Sequence, residues 1–147
     1  MYKDMDKHGW VLVHKMSGEI LLPLYISEVS CGFPSPAEDY AEKLDLVKEL
    51  IPNPDATFLL RAKGDSMEGD NIHDGDLLIV DFSIRSRKGK VVISSLNKDE
   101  FTVKRLVEDN GNFYLQASNE NYPAIPIQAG DELQIYGVVT HSISRIK

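Results

Sequence analysis

The stretch Asp74-Gly75-Asp76-Leu77-Leu78-Ile79-Val80-Asp81 decides how the rest of this chain reads. Asp-Gly is a turn signal, and the four apolar residues after it run on without alternation. A strand that is apolar on both faces is a strand covered on both sides. The stretch therefore predicts a central strand over 77–80, entered through a tight turn, and it puts a sheet at the heart of the fold.

Working outward, the same kind of signal repeats. Upstream, Thr57 to Ala62 reads as a short, mostly apolar strand, broken by Gly64-Asp65-Ser66-Met67-Glu68-Gly69. Downstream, Gly89 opens a strand over Val91 to Leu96, and Asn97-Lys98-Asp99 turns it back into Phe101 to Val107. Asn110-Gly111 is the strongest hairpin signal in the chain and leads into Phe113 to Ala117. A last strand, Leu133 to His141, follows the Gly130-Asp131 turn.

Toward the N-terminus the pattern changes. Ser35-Pro36-Ala37-Glu38 has the layout of a helix start, with Ser at the cap, Pro at the first helical position and Glu closing a capping box. The spacing predicts a helix through Leu44 and on toward Leu50, with Tyr40, Leu44, Val47 and Ile51 facing the body and Pro52 and Pro54 ending it. Residues 1–31 hold two weak strand-like patches, Trp10 to Val13 and Ile20 to Ile26. They are too few for a helical DNA-binding domain with its own core and read as an arm. The expected fold is mostly β, a β-rich α+β domain with one short N-terminal helix and an N-terminal arm.

A chain of 147 residues is long enough to bury a core without disulfides or metals. Its formal net charge of −7 argues against a broad grip on a phosphate backbone, so no direct DNA binding is expected. The single cysteine excludes an internal disulfide and fits a reducing compartment. The best apolar run, 20–26, is interrupted by Pro23 and falls far short of the ~18 residues of a membrane span. Asp4, Asp6 and His8 interrupt any secretory signal pattern. A cytoplasmic protein with no membrane contact is the expectation.

Few residues could carry chemistry. The four histidines, His8, His14, His73 and His141, are scattered, so neither a metal site nor a cofactor is expected. The acidic set Asp65, Glu68, Asp70, Asp74, Asp76 and Asp81 does not match a calcium loop and reads as turn-setting. Ser66, in its glycine-flanked break, fits either a nucleophile on a sharp turn or a simple N-cap, and alone it favours the cap. A nucleophile needs a base. Among the lysines, Lys104 stands out by its place mid-strand in Phe101-Thr102-Val103-Lys104-Arg105-Leu106-Val107. Taken alone it reads as an ordinary solvated strand residue, or one on an edge. Cys31, next to Gly32 in Ser27-Glu28-Val29-Ser30-Cys31-Gly32-Phe33-Pro34-Ser35-Pro36, is neither an obvious core residue nor an obvious ligand.

Three motifs in order give these residues a common meaning. Gly64-Asp65-Ser66-Met67 with Ile72 and 74–81 resembles the serine segment of the LexA-type self-cleaving serine peptidases (S24). Phe101-Thr102-Val103-Lys104-Arg105-Leu106 resembles their lysine strand, and Cys31-Gly32-Phe33-Pro34-Ser35-Pro36-Ala37 resembles the cleavage site of the UmuD-like members. The resemblance implies a LexA/signal-peptidase-like peptidase domain with a Ser–Lys dyad: Ser66 as nucleophile, Lys104 as general base, and the backbone N–H groups of Ser66 and Asp65 as the oxyanion hole. It implies cleavage between Cys31 and Gly32, dividing the chain into an arm, 1–31, and a body, 32–147. It further implies a homodimer, stimulation by a RecA filament on single-stranded DNA, and a UmuC-type subunit of error-prone DNA polymerase V as the partner of the trimmed form, in the SOS response to DNA damage. Two other readings stand beside it: a non-catalytic β-rich protein-binding module, and a truncated relative of LexA-type repressors.

Overall fold

The computed structural model describes residues 20–25 and 40–147. The chain divides into two compact units: one takes in the described residues up to Pro52, the other Asn53–Lys147.

The smaller unit is a hairpin with a helical turn. Strands β1 (Leu21–Tyr25) and β2 (Tyr40–Asp45) pair antiparallel, with Leu22 opposite Leu44 and Leu24 opposite Glu42. Helix α1 spans only Leu46–Leu50. The expected longer helix is thereby corrected: Tyr40 and Leu44 lie in a strand, and Val47 is exposed. The proposed start at Ser35-Pro36 lies outside the described residues. The physical reason is local competition. Helix propensity is a weak preference that a paired strand overrides, and β1 supplies the pairing for β2. The helix begins instead at Asp45, whose carboxylate accepts from the backbone N–H groups of Val47 and Lys48 at 3.1 and 3.2 Å. It ends at Ile51, just before Pro52, as the sequence predicts.

The larger unit is built on one seven-stranded antiparallel sheet. Its strands are β3 (Thr57–Arg61), β4 (Leu77–Asp81), β5 (Val91–Leu96), β6 (Thr102–Asp109), β7 (Asn112–Gln116), β8 (Ile125–Pro126) and β9 (Leu133–Ile143). In space they run β3-β4-β9-β5-β6-β7-β8. The strand expected over 77–80 is interior, flanked by β3 and β9, and Leu78, Ile79 and Val80 are all buried. The hairpin signal at Asn110-Gly111 holds as well: both residues have positive φ, 49° and 81°, as a tight two-residue connection of twisted strands requires.

Two apolar clusters grip this sheet. One joins Phe58, Ala62, Met67, Ile72, Leu78, Val80 and Ile93. The other joins Val92, Leu106, Leu115 and Val138. Met67 and Ile72 are loop residues that belong to the first, so the segment between β3 and β4 is fastened to the core on both sides of a short 3₁₀ turn, Glu68–Asp70. Pairing along β6 is uneven. Strand β5 covers its Thr102–Arg105 half and β7 its Arg105–Asp109 half. Lys104 thus sits where β6 leaves its second neighbour. Among the described residues, no helix is long and apolar enough to cross a membrane.

Candidate active site

A cleft of about 210 Å³ opens between the end of β3 and the start of β6. Its floor is apolar, made by Met67, Ile72, Leu78 and Ile93, all buried. Leu60 to Gly64 form one wall and Phe101 to Lys104 the other. Ser66 and Lys104 enter the lining from different segments, the β3–β4 loop and β6.

They meet. Lys104 Nζ donates to Ser66 Oγ at 3.1 Å and to its neighbour's carbonyl, Val103 O, at 3.0 Å. The sequence separates them by 38 positions; the topology brings them together because β6 passes the mouth of the β3–β4 loop. Among the described residues no carboxylate pairs with Lys104. Half-buried, the ammonium loses hydration that two neutral acceptors replace only in part, and burial pushes the Lys104 pKa below the ordinary lysine value. A serine hydroxyl at hydrogen-bond distance from an amine inclined to be neutral is the arrangement a lysine base needs.

The turn that carries Ser66 is held at several points. Gly64 N–H donates to the Asp74 carboxylate at 2.7 Å. Asp65 is held twice from the segment after β7: Asn119 Nδ2 donates to its carbonyl at 3.0 Å, and the Tyr122 hydroxyl to its carboxylate at 2.6 Å. Three residues beyond Ser66, Gly69 N–H donates to Ser118 O at 2.7 Å. A Cβ on residue 69 would stand 2.6 Å from that oxygen, so only glycine allows the approach. Asp70 then accepts from the Ser118 hydroxyl and from Arg105 at 2.7 Å. Burial works to raise the Asp70 pKa, but the bonds from Ser118 and Arg105 outweigh it and hold the carboxyl below its usual range.

Two adjacent β6 residues therefore reach the two ends of one short loop, Lys104 to Ser66 and Arg105 to Asp70. The sequence singled out Ser66 and Lys104. It missed Asn119, Tyr122 and Ser118, and it read Asp70 only as a turn residue. The one signal that could have found them is Asn119-Glu120-Asn121-Tyr122-Pro123, a polar, turn-forming run between strands.

Asp76, also read as a turn residue, is instead a buried anchor. His73 N–H donates to it at 2.8 Å and the Ser142 hydroxyl, from β9, at 2.8 Å. Led by the His73 N–H and joined by the Ser144 and Ser142 hydroxyls, these bonds outweigh desolvation and bring its pKa down to about 2. Cys31 and Gly32 lie outside the described residues, in the chain between β1 and β2. Among the described residues, no cluster of His, Cys, Asp and Glu could hold a metal.

A family model described as Peptidase S24-like matches residues 23–140. Protein SamA of Salmonella typhimurium (strain LT2) is 44% identical over 126 residues, 85% of this chain and 86% of SamA. Protein MucA of Escherichia coli is 41% identical over 124 residues, 83% of this chain and 84% of MucA. The LexA repressor of Shewanella piezotolerans is 39% identical over 121 residues, 82% of this chain but 58% of the repressor. The match spans the cleft, both of its walls and the segment that carries Cys31.

Proposed function

The chain belongs to the Peptidase S24-like family, and from that premise we propose that it cuts its own backbone between Cys31 and Gly32, and that the body released, 32–147, serves a DNA polymerase that copies past lesions. Ser66 is the nucleophile and Lys104 the base. The observation that carries this reading is the 3.1 Å contact between a serine hydroxyl and a lysine amine that burial drives toward neutrality.

The steps follow from that pair. Docking of the 31–32 segment in the cleft dries the site and lowers the Lys104 pKa further. Neutral Nζ accepts the Ser66 proton, and Oγ attacks the Cys31 carbonyl carbon. Charge develops on the Cys31 oxygen, which the N–H groups of Ser66 and Asp65 receive. Neither N–H donates to a backbone carbonyl among the described residues. Lys104 then gives its proton to the Gly32 nitrogen as the peptide C–N bond breaks. Water, deprotonated by the same amine, releases the acyl group from Ser66. Cysteine behaves as a small apolar side chain and suits an apolar floor, and Gly32 leaves the other side of the bond uncrowded. Strand β3 offers a further feature: its outer edge is unpaired among the described residues and lines the cleft, so an extended segment has backbone groups to pair with.

A chain that cut itself at once could not be regulated. The docked arrangement is therefore a minor state, raised by a partner that prefers it. The resemblance to UmuD-like proteins names that partner as the RecA filament on single-stranded DNA and the recipient of the body as a UmuC-type polymerase subunit, with the chain acting as a homodimer in the cytoplasm. Contact with DNA is then indirect, consistent with the net charge of −7. Incubation with RecA, single-stranded DNA and a nucleotide yields a fragment of 116 residues (147 minus 31) whose first residue is Gly32, measured by mass spectrometry. Ser66→Ala yields none. A fragment from that variant, or an intact wild-type chain, leaves the non-catalytic binding module as the better reading.

A further inference from the structure

We infer that Asn119 is a positioning residue for the cleavage reaction, acting through the peptide plane that joins Asp65 to Ser66. The inference rests on the peptidase reading of Ser66 and deepens it. A peptide unit is planar and rigid, with its C=O and N–H pointing in opposite directions. The C=O of the 65–66 unit belongs to Asp65 and its N–H to Ser66. Asn119 Nδ2 donates to that C=O at 3.0 Å. Fixing the carbonyl fixes the direction of the N–H on the other side, which is the donor required at the developing oxyanion. A hydrogen bond to the carbonyl also polarises the unit and makes the N–H a stronger donor.

The orientation of the Asn119 amide is itself determined. Its Oδ1 accepts from Asn121 N–H at 2.9 Å, which leaves Nδ2 as the end that faces Asp65. Tyr122 completes the arrangement by donating to the Asp65 carboxylate at 2.6 Å, so the residue before the nucleophile is held at both its backbone and its side chain. The segment doing this comes from beyond β7, more than 50 positions away in sequence, and it also meets the far side of the loop, where Ser118 O accepts from Gly69 N–H at 2.7 Å. An oxyanion donor works by being in place before charge appears, so the group that keeps it in place sets the rate without touching the substrate.

Asn119→Asp tests this in the full-length chain. The replacement keeps the size and the acceptor for Asn121 N–H but puts a carboxylate oxygen against the Asp65 carbonyl in place of a donor. The measurement is the first-order rate of unassisted self-cleavage across alkaline pH, with thermal melting recorded in parallel. The expected result is a plateau rate about tenfold lower, short of the 10²–10³ typical for losing an oxyanion donor outright. Asn119→Ser, which cannot span the gap, gives the same loss and covers the case in which the charged variant fails to fold. A wild-type plateau in either folded variant overturns the inference and leaves the Ser66–Lys104 reading standing. So does a displaced midpoint in the uncharged Asn119→Ser, because it shows that the environment of Lys104, not the oxyanion peptide, has changed. A wild-type chain that does not cleave overturns both.

Discussion

Two polar corners flank the loop between β3 and β4, and they are opposites. At one, Lys104 and Ser66 meet each other and little else. At the other, Asp76 is surrounded by donors from its own turn and from β9. Both groups are shielded from water, and both have displaced pKa values, but the causes differ in kind. Lys104 is shifted by burial alone, toward its neutral form. Asp76 is shifted by hydrogen bonds that outweigh burial, toward its charged form. Burial at the first corner disfavours the charged form of its ionisable group, which costs stability and is the setting that the proposed base would need. The second satisfies its charge fully and returns stability to the turn that positions the first.

The sharpest way to break this contrast is to substitute Lys104. Lys104→Met removes the base while leaving an unbranched apolar stem in the cleft. Self-cleavage is expected to vanish, measured by the absence of the Gly32 fragment. Folding stability is expected to rise at neutral pH, and the sign follows from linkage. A lysine whose folded pKa lies below its unfolded value of about 10.4 opposes folding fully below the folded pKa, less as pH climbs above it, and no longer once pH passes about 10.4. The melting temperature of the variant therefore exceeds that of wild type at pH 7, and the gap narrows toward alkaline pH. A variant less stable than wild type at pH 7 would mean that Lys104 is a structural group. Lys104→Arg makes the complementary point: it keeps the charge and cannot release it, so it is inactive at every pH.

Asp76 comes next in size. Asp76→Ala leaves the His73 N–H and the Ser142 hydroxyl without their acceptor in a buried place, a loss of about 2 kcal/mol. Denaturant titration measures it. The pH dependence has the opposite sense to that of Lys104. A carboxylate with a folded pKa of about 2 adds stability that is full above its ordinary value near 4 and drains away as pH falls through that value toward about 2. Wild type and Asp76→Ala accordingly converge in acid. Failure to converge would place the cost in packing and not in charge.

The same contrast explains what the sequence could and could not reveal. The strand over 77–80 was legible because its four apolar residues carry their own environment with them. The Val91–Leu96 strand and the Asn110-Gly111 turn were legible for equally local reasons: apolar content, bounding turns, positive φ. The helix was misread over 40–45 because Ala41, Glu42, Lys43 and Leu44 favour a helix locally, and the pairing of β2 with β1 overrides that preference. Strand β8 was missed because two residues, one of them proline, leave no pattern. Within the cleft, Ser66 and Lys104 stood out as a polar residue in a glycine-flanked break and a cation inside a strand. Asn119 and Tyr122 did not, because nothing in a polar loop says what it will touch across the sheet. Asp76 looked like a turn residue because Gly75 beside it is one; its burial under β9 depends on a strand that begins over fifty positions later.

The smallest expected effect lies inside the sheet. Ser94 and Ser95 are neighbours on β5 and both are buried. Ser95 Oγ lies 3.1 Å from the Tyr136 hydroxyl, which in turn donates to Gln134. Ser94 Oγ has no hydrogen-bond partner among the described residues. If satisfied polarity supports the fold and unsatisfied polarity opposes it, the two alanine substitutions differ in sign. Ser95→Ala costs about 1 kcal/mol for the lost bond, while Ser94→Ala removes a hydroxyl that gave up water and gained nothing, and leaves stability unchanged or raised by up to about 1 kcal/mol. Neither residue lines the cleft, so cleavage rates stay at wild type in both. A destabilised Ser94→Ala would show that the Ser94 hydroxyl has an acceptor in solution.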